Sequence, residues 1–245
     1  MGDVVIWHIG RCGSTVLGSM LNQNPAVQWE NEIFRPLLLR KRAGQRIPSM
    51  SEAVAAVSAR KQKPVQAVEV KFLDAQHLDI FGTNLPDMLA MFLERGFDRF
   101  VVLKRRNHLR RMVSHCVAEV TQQYHVEKGS VADLQPIVLD PGSIRVGEKR
   151  QSLLAWFREF DDAYARLGSL LARHPHCEVV YEEDLESDPR IGFRKVCAFL
   201  GIEPGQVEVL FSRTNPFSLA EILVNYDAIR ELIERAGYAS MLVEG

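Results

Sequence analysis

The sequence predicts an α/β fold, a three-layer sandwich in which a central, mainly parallel sheet lies between helices and carries a phosphate-binding loop. Short apolar runs typical of buried strands alternate with helical patterns along the chain. A glycine-containing turn joins the first apolar run to a helix, as in phosphate-binding folds. With 47% hydrophobic and 25% charged residues, the 245 residues can bury a full core. We therefore expect one domain over residues 1–245.

Each element follows from a local pattern. Buried strands are predicted over residues 4–9, 65–72, 100–103 and 177–181, and helices over residues 14–23, 85–95 and 153–171. Asn24 and Pro25 end the first helix, Gly96 caps the second, and apolar residues at three- and four-residue steps define the third. Residues 121–150 show no period, which is typical of a lid or binding loop.

Composition excludes several function classes. The formal charge is −1, so no general positive field attracts nucleic acid or an anionic membrane. No run approaches the ~18 apolar residues of a membrane span, and we expect a cytoplasmic location. The four cysteines lack metal-binding spacing, so we expect free thiols and no metal site.

The stretch HIGRCGST, residues 8–15, is the first candidate anion site. The backbone N–H groups of Gly13, Ser14 and Thr15 are expected at a helix N-terminus, where unpaired donors and the helix dipole favour a phosphate. Arg11 adds a multi-donor positive charge. The alternative is an ordinary strand-to-helix turn with a surface arginine. The lysine of a Walker A loop is missing, because Cys12 precedes Gly-Ser-Thr and a valine follows it.

A second basic site follows the third predicted strand. Asn107 is a suitable N-cap, which places Arg106 at the carboxyl end of the strand and Ser114 about two turns into the next helix. Both side chains can then face the crevice beside the first site. The alternative is a solvated basic helix face.

Three ordered motifs carry a resemblance to a known family. GRCGST with NQNPAVQWENEIF resembles the 5′-phosphosulfate loop of sulfotransferases that use 3′-phosphoadenosine 5′-phosphosulfate (PAPS), and Arg106 with Ser114 resembles their 3′-phosphate motif. Residues 181–202 are similar to a further family segment. The likeness covers about residues 4–230 and is greater to the bacterial, Golgi and tyrosylprotein branches. It implies a single sulfotransferase domain that uses PAPS without a metal and releases adenosine 3′,5′-bisphosphate (PAP).

The resemblance also implies site residues. In-line transfer to a hydroxyl or amine would use Glu32 as the base, with Glu30 and His77 as alternatives, while Lys71 and Arg11 would assist the transferring group. The set implied to bind the donor is Arg11, Cys12, Gly13, Ser14, Thr15, Arg106, Ser114, Tyr181 and Arg213.

The acceptor class is not determined by these motifs. Residues 40–63 and 121–150 are expected to be loops that wall the acceptor site, and a carbohydrate, lipid, polyketide, other small molecule or peptide is compatible with them. Their basic and apolar mixture favours an acidic or amphiphilic acceptor. Two other functions stay open, an ATP-dependent small-molecule kinase and a noncatalytic nucleotide-binding protein of the same fold. The oligomeric state is also open.

Overall fold

A five-stranded parallel sheet forms the centre of the molecule, as the sequence predicts. The computed structural model describes residues 2–130 and 133–243. The sheet order is β2-β3-β1-β4-β8, and all four pairings are parallel. Two small antiparallel pairs, β5 with β9 and β6 with β7, lie outside it. The strands are β1 (Asp3–His8), β2 (Val27–Glu32), β3 (Val65–Lys71), β4 (Phe97–Lys104), β5 (Val126–Glu127), β6 (Ile144–Val146), β7 (Lys149–Gln151), β8 (His176–Val180) and β9 (Phe211–Ser212).

Helices connect the strands and pack on both sides of the sheet. Wide π-helical turns, Asp74–Leu78 and Tyr181–Leu185, follow β3 and β8, and a 3₁₀ turn covers Ala239–Leu242. The helices are α1 (Ser14–Gln23), α2 (Arg35–Arg42), α3 (Met50–Ser58), α4 (Asp79–Phe81), α5 (Leu85–Glu94), α6 (His108–Thr121), α7 (Leu153–Leu171), α8 (Arg190–Leu200), α9 (Leu219–Ile222) and α10 (Tyr226–Arg235).

The core has two halves, one on each side of the sheet. Trp7 of β1 packs edge-on against Phe92 of α5 at a ring separation of 5.8 Å, within the larger half. Its neighbour Ile6 belongs to the other half, together with Met20 of α1 and Phe193 of α8. Successive strand residues point to opposite faces. The central strands are therefore apolar on both sides, which explains why they appear in the sequence as short continuous hydrophobic runs.

All four predicted strands and all three predicted helices are present. Helices α1 and α7 have the predicted bounds. The edge strand β2 is not among the predicted elements, because its segment VQWENE carries polar residues where a buried strand would be apolar.

The expectation that residues 40–63 form a loop is partly wrong. Residues 40–63 include the end of α2 and the whole of α3, which Ser49 and Glu52 start with reciprocal side-chain and backbone hydrogen bonds. The segment 121–150 is mostly irregular, as expected, but contains β5, β6 and the start of β7. None of the helices in the described parts of the chain has the length and apolarity that crossing a bilayer requires.

Candidate active site

A cavity of about 540 Å³ lies at the carboxyl ends of the parallel strands. This volume is typical of small-molecule sites, and this edge of the sheet is where open α/β folds bind ligands. His8, Glu32 and Lys71 line it from the ends of β1, β2 and β3. The loop after β4 and the segment 121–150 complete the wall.

The loop between β1 and α1 has the conformation of an anion cradle. Gly10, Arg11 and Gly13 all have positive φ angles, of 85°, 57° and 84°. A Cβ atom on Gly13 would lie 2.7 Å from Leu185, so only glycine fits there. Gly13, the N-cap residue of α1, has no side chain to cap the helix, and Gly13, Ser14 and Thr15 line the cavity beside it. The open backbone donors of the first turn are therefore suited to a phosphate or sulfate oxygen.

Arg11 connects this loop to three other parts of the wall. Its guanidinium donates to Ser114 Oγ at 3.0 Å, to the carbonyl oxygen of Tyr124 at 3.0 Å and to Thr214 Oγ1 at 2.5 Å. All three acceptors are neutral, so the charge of Arg11 stays available to an anion. Burial, followed by the charge of Arg105, lowers the pKa of Arg11. A left-handed arginine is strained, and such residues cluster at functional sites.

Arg105 occupies the place predicted for Arg106. It lines the cavity, its guanidinium lies 4.3 Å from the centre of the Tyr181 ring, and it donates to the carbonyl oxygen of Arg11 at 3.3 Å. Its buried Nε has no partner in the described residues. Arg106 instead pairs with Glu183 outside the cavity.

The prediction that Arg106 faces the crevice is therefore wrong for this structure. Arg105 and Arg106 follow Lys104, the last residue of β4, and only Arg105 lines the cavity. Glu182 of the turn 181–185 accepts the backbone N–H groups of Arg106 and Asn107 at 3.1 and 2.9 Å, and Glu183 pairs with the Arg106 side chain outside the cavity. These contacts select which of the two arginines turns outward.

Of the other residues implied to bind the donor, some line the cavity and one does not. Ser114 and Tyr181 line the cavity. Arg213 lines it as well, but is already paired with Glu186 at 3.2 Å. Cys12 is fully buried in the core half around α1 and does not line the cavity, so the structure does not support the prediction that it binds the donor.

Glu32 lies at the centre of a polar cluster. Its carboxylate is 2.7 Å from Lys71 Nζ and 3.7 Å from His77 Nε2. Burial raises the pKa of Glu32, but the His77 hydrogen bond and the Lys71 charge outweigh it and hold the pKa well below its usual range. This carboxylate is ionised and has a cation on one oxygen.

A β-bulge aims Glu32 into the cavity. In β2, Glu30 is opposite Val68, whereas Glu32 is opposite Glu69, so one residue of β2 is left over between them. The extra residue reverses the facing of the strand residue after it. Glu30 remains outside the cavity, where it accepts from Gln28 at 2.8 Å and pairs with Arg60 at 3.3 Å. The placement favours Glu32 over Glu30 as a base.

His77 supports Glu32 and is poorly placed to be a base itself. Its Nδ1 accepts the backbone N–H of Lys71 at 2.9 Å, so in the neutral ring the proton is on Nε2, facing Glu32. Burial is the main cause that lowers the pKa of His77 to about 4. In the neutral ring Nδ1 already accepts the Lys71 N–H and Nε2 carries the proton, so no nitrogen is free to take a proton from an acceptor.

A second buried pair, His8 and Glu69, lies beside this cluster. Their facing atoms, Nε2 and Oε2, are 3.4 Å apart, and Trp29 Nε1 donates to the other Glu69 oxygen at 2.9 Å. Ligand-type atoms of His8, Glu32 and Glu69 lie within 4.8 Å of one another, as in a metal site.

The cluster of His8, Glu32 and Glu69 does not fit a metal ion. His8 Nδ1 faces the Gly10 N–H at 3.1 Å, so in the neutral ring Nε2 carries the proton. Burial lowers the pKa of His8, but Cys12 and Glu69 raise it to about 10, and a charged ring carries protons on both nitrogens. Either way Nε2 has no lone pair for a metal, and the Lys71 ammonium already occupies Glu32.

The hairpin of β6 and β7 forms part of the cavity wall. In the hairpin β6–β7, the Arg145 carbonyl oxygen is 2.8 Å from His115 Nε2, and Gly147 lies where a Cβ atom would be 1.9 Å from the Ala75 carbonyl oxygen. Of residues 40–63, all of which the structure describes, only Arg42 lines the cavity.

Sequence reasoning missed several cavity residues. Of the residues that line the cavity, His8, Arg35 and Arg105 were not predicted, whereas Tyr124, His125 and Gly147 lie in the segment 121–150 that was expected to form a wall. Local signals exist for His8, a polar residue at the end of an apolar strand, and for Arg105, which is next to the predicted arginine.

The comparisons with known proteins identify the fold. The sequence matches no protein-family model and no curated protein. The structure is similar to a sulfotransferase from Alicyclobacillus acidocaldarius, with a TM-score of 0.56 and 12% identity over 99% of this chain and 94% of that one. It also matches the sulfotransferase domain of the Synechococcus PCC 7002 olefin synthase, with a TM-score of 0.46 and 14% identity over 95% of this chain and 94% of that one. A sulfotransferase domain from the curacin biosynthetic pathway matches with a TM-score of 0.45 and 14% identity over 90% of this chain and 82% of that one. The chain therefore has the fold of the first of these proteins, which is named as a sulfotransferase.

Proposed function

We propose that this protein is a sulfotransferase that moves the sulfuryl group of PAPS to a hydroxyl or amine acceptor. One observation carries the proposal: an anion-binding loop and a lysine-paired carboxylate line the same cavity. Sulfuryl transfer requires both, a holder for the phosphosulfate and a base for the acceptor proton. The shared fold and the sequence motifs support this conclusion.

The loop and its surroundings would bind the two ends of the donor. The N–H groups of Gly13, Ser14 and Thr15, with Arg11, suit the 5′-phosphosulfate. Arg105, which stacks on Tyr181, suits the separate 3′-phosphate, because its charge faces the cavity and no carboxylate pairs with it in the described residues. The Tyr181 ring and the Arg105 guanidinium together form an aromatic and cationic surface beside the proposed 3′-phosphate site.

Glu32, Lys71 and His77 would carry out the transfer. The acceptor oxygen or nitrogen bonds to sulfur as the bond from sulfur to the bridging phosphate oxygen breaks, and Glu32 takes the acceptor proton. Lys71 lies near enough to Glu32 to turn from the carboxylate to the sulfonate. Without that cation, the pKa of Glu32 rises and the carboxylate becomes a stronger base. His77 holds the second carboxylate oxygen in place.

A kinase reaction is less well supported. The loop carries no lysine for β- and γ-phosphates, and the cluster beside it does not fit a metal ion. A noncatalytic role would not explain why a buried histidine orients Glu32 in the cavity.

Binding of PAP, measured by calorimetry, followed by sulfation assays with labelled PAPS and a broad acceptor panel, tests the proposal. We expect PAP to bind and labelled product to form without added metal. Glu32→Gln should keep the affinity for PAP and lower turnover about a hundredfold or more, the scale of a lost general base. Binding of ATP with Mg²⁺ in preference to PAP would contradict the proposal. PAP binding without transfer to any acceptor would favour the noncatalytic alternative.

A further inference from the structure

We propose that the acceptor carries an anionic group, a carboxylate or a sulfate, and that Arg35 binds this group while the acceptor nucleophile meets Glu32. The inference depends on the proposed function, because it concerns the second substrate of the same cavity. It assigns a specificity role to a residue outside the donor-binding loop.

Arg35 is close to Glu32 in both sequence and space. It is the first residue of α2, three residues after Glu32, and it lines the cavity. Glu32 ends β2 and Phe34 anchors the turn in the core, where it is fully buried and packs on His77 at a ring separation of 5.6 Å. The turn that aims the base into the cavity therefore also holds Arg35 at its rim.

The charge of Arg35 is not neutralised by a carboxylate. Among the described residues, its partner is the Tyr124 ring, whose centre lies 5.5 Å from the guanidinium carbon. An aromatic face holds a cation but leaves its charge in place. The guanidinium is exposed and presents a planar fork of donors, which matches a carboxylate or sulfate.

Arg35 differs from three other cations that line the cavity, Lys71, Arg42 and Arg145. Each has a carboxylate within ion-pair distance in the described part of the chain, so its charge is already matched. The pairs are Lys71–Glu32 at 2.7 Å, Arg42–Glu148 at 2.7 Å and Arg145–Glu119 at 3.4 Å.

The positive charge of Arg35 also acts on His125, which lines the same cavity. His125 lines the cavity next to Tyr124, and its ring lies 6.0 Å from that of Phe211. Burial first, then the charges of Arg11 and Arg35, lower the pKa of His125, against the opposing effect of Glu32 and Glu69. The charges of Arg11 and Arg35 thus act in the same part of the cavity as His125.

The donor does not account for Arg35. The proposed donor site already has Arg11, Arg105 and the loop amides, and the proposed mechanism assigns Lys71 to the sulfonate. Arg35 approaches from α2, the element that follows the base. A role for Arg35 toward the donor would nevertheless show in the affinity for PAP, so the experiment measures it.

The test uses acceptor pairs in which one member carries a carboxylate and the other has a neutral group in its place. We would measure binding to the PAP-saturated protein, and KM in sulfation, for 4-hydroxybenzoate against its methyl ester, glucuronate against glucose, and 16-hydroxyhexadecanoate against its methyl ester. For the wild type, at least one anionic member should bind about tenfold or more tightly than its neutral partner, the scale of one charge-assisted contact.

Two variants assign the effect to one residue. Arg35→Gln should remove the preference by raising KM for the anionic member about tenfold, with the neutral member and the affinity for PAP unchanged. Arg42→Gln is the matched control, since Arg42 lines the same cavity but is paired with Glu148, and it should keep the preference.

Three results would overturn the inference. The first is that no anionic compound binds the PAP complex more tightly than its neutral partner. The second is that Arg35→Gln weakens PAP binding, or lowers turnover of both members equally, which would assign Arg35 to the donor. The third is that Arg42→Gln abolishes the preference as fully as Arg35→Gln. Failure of PAP itself to bind the wild type would instead contradict the proposed function.

Discussion

Replacing Arg105 or Arg106 separately by glutamine tests which arginine binds the 3′-phosphate. The two residues are adjacent; the sequence spacing indicates Arg106, whereas the structure indicates Arg105. The structure places Arg105 in the cavity on Tyr181 and pairs Arg106 with Glu183 outside it. We expect Arg105→Gln to weaken PAP binding strongly and Arg106→Gln to leave it nearly unchanged.

The expected magnitudes follow from the surroundings of each side chain. A hydrogen bond to a charged group contributes about 1.5–3 kcal/mol, which corresponds to a roughly tenfold to hundredfold loss in the affinity for PAP when Arg105 is replaced. The Arg106–Glu183 pair is 59% and 53% exposed, and such pairs contribute about 0–1 kcal/mol to stability. Because Arg106 lies outside the cavity and its loss should not disturb the fold, Arg106→Gln should shift the Kd for PAP by no more than about twofold.

Calorimetric titration of both variants with PAP at one fixed salt concentration gives the comparison. Thermal unfolding of each variant without ligand shows whether the fold is intact. If Arg106→Gln weakens PAP binding as much as Arg105→Gln does, the assignment of the 3′-phosphate to Arg105 is wrong, and the spacing between Arg106 and Ser114 is the better guide.

Three further predictions concern the acceptor side. Lys71→Met should leave PAP affinity unchanged, because PAP has no sulfonate, but lower the single-turnover rate about a hundredfold; a near-normal rate would remove Lys71 from the reaction. His77→Leu removes the N–H that faces the ionised Glu32, so the pKa of Glu32 should rise and the acid limb of the pH profile of kcat should move to higher pH. His77→Gln keeps an N–H donor and should move the limb less. Identical pH profiles for both variants and the wild type would show that His77 does not have this role. Gly147→Ala would place a Cβ atom 1.9 Å from the Ala75 carbonyl oxygen, so the hairpin must shift, and acceptor KM should rise several-fold with unchanged PAP affinity in calorimetry.

Local sequence determines the scaffold of the site. Hydrophobic periodicity places α7 at its observed bounds, and Asn24 with Pro25 ends α1 where predicted. The left-handed turn at Gly10 and Gly13 needs glycine whatever packs around it. These features depend on neighbours within a few residues, so a strand, an anion loop and a helix in that order can be predicted from sequence.

Tertiary contacts decide which side chains face the cavity. The bulge before Glu32 depends on how β2 pairs with β3, about 40 residues away, and no local pattern shows it. The outward turn of Arg106 depends on the acidic segment 181–185, more than 70 residues further along the chain. In a strand, a one-residue shift in pairing moves a side chain to the opposite face of the sheet. The sequence by itself therefore determines that an anion loop, a basic pair and a carboxylate lie at one sheet edge, whereas only packing between distant segments selects Arg105 over Arg106 and Glu32 over Glu30.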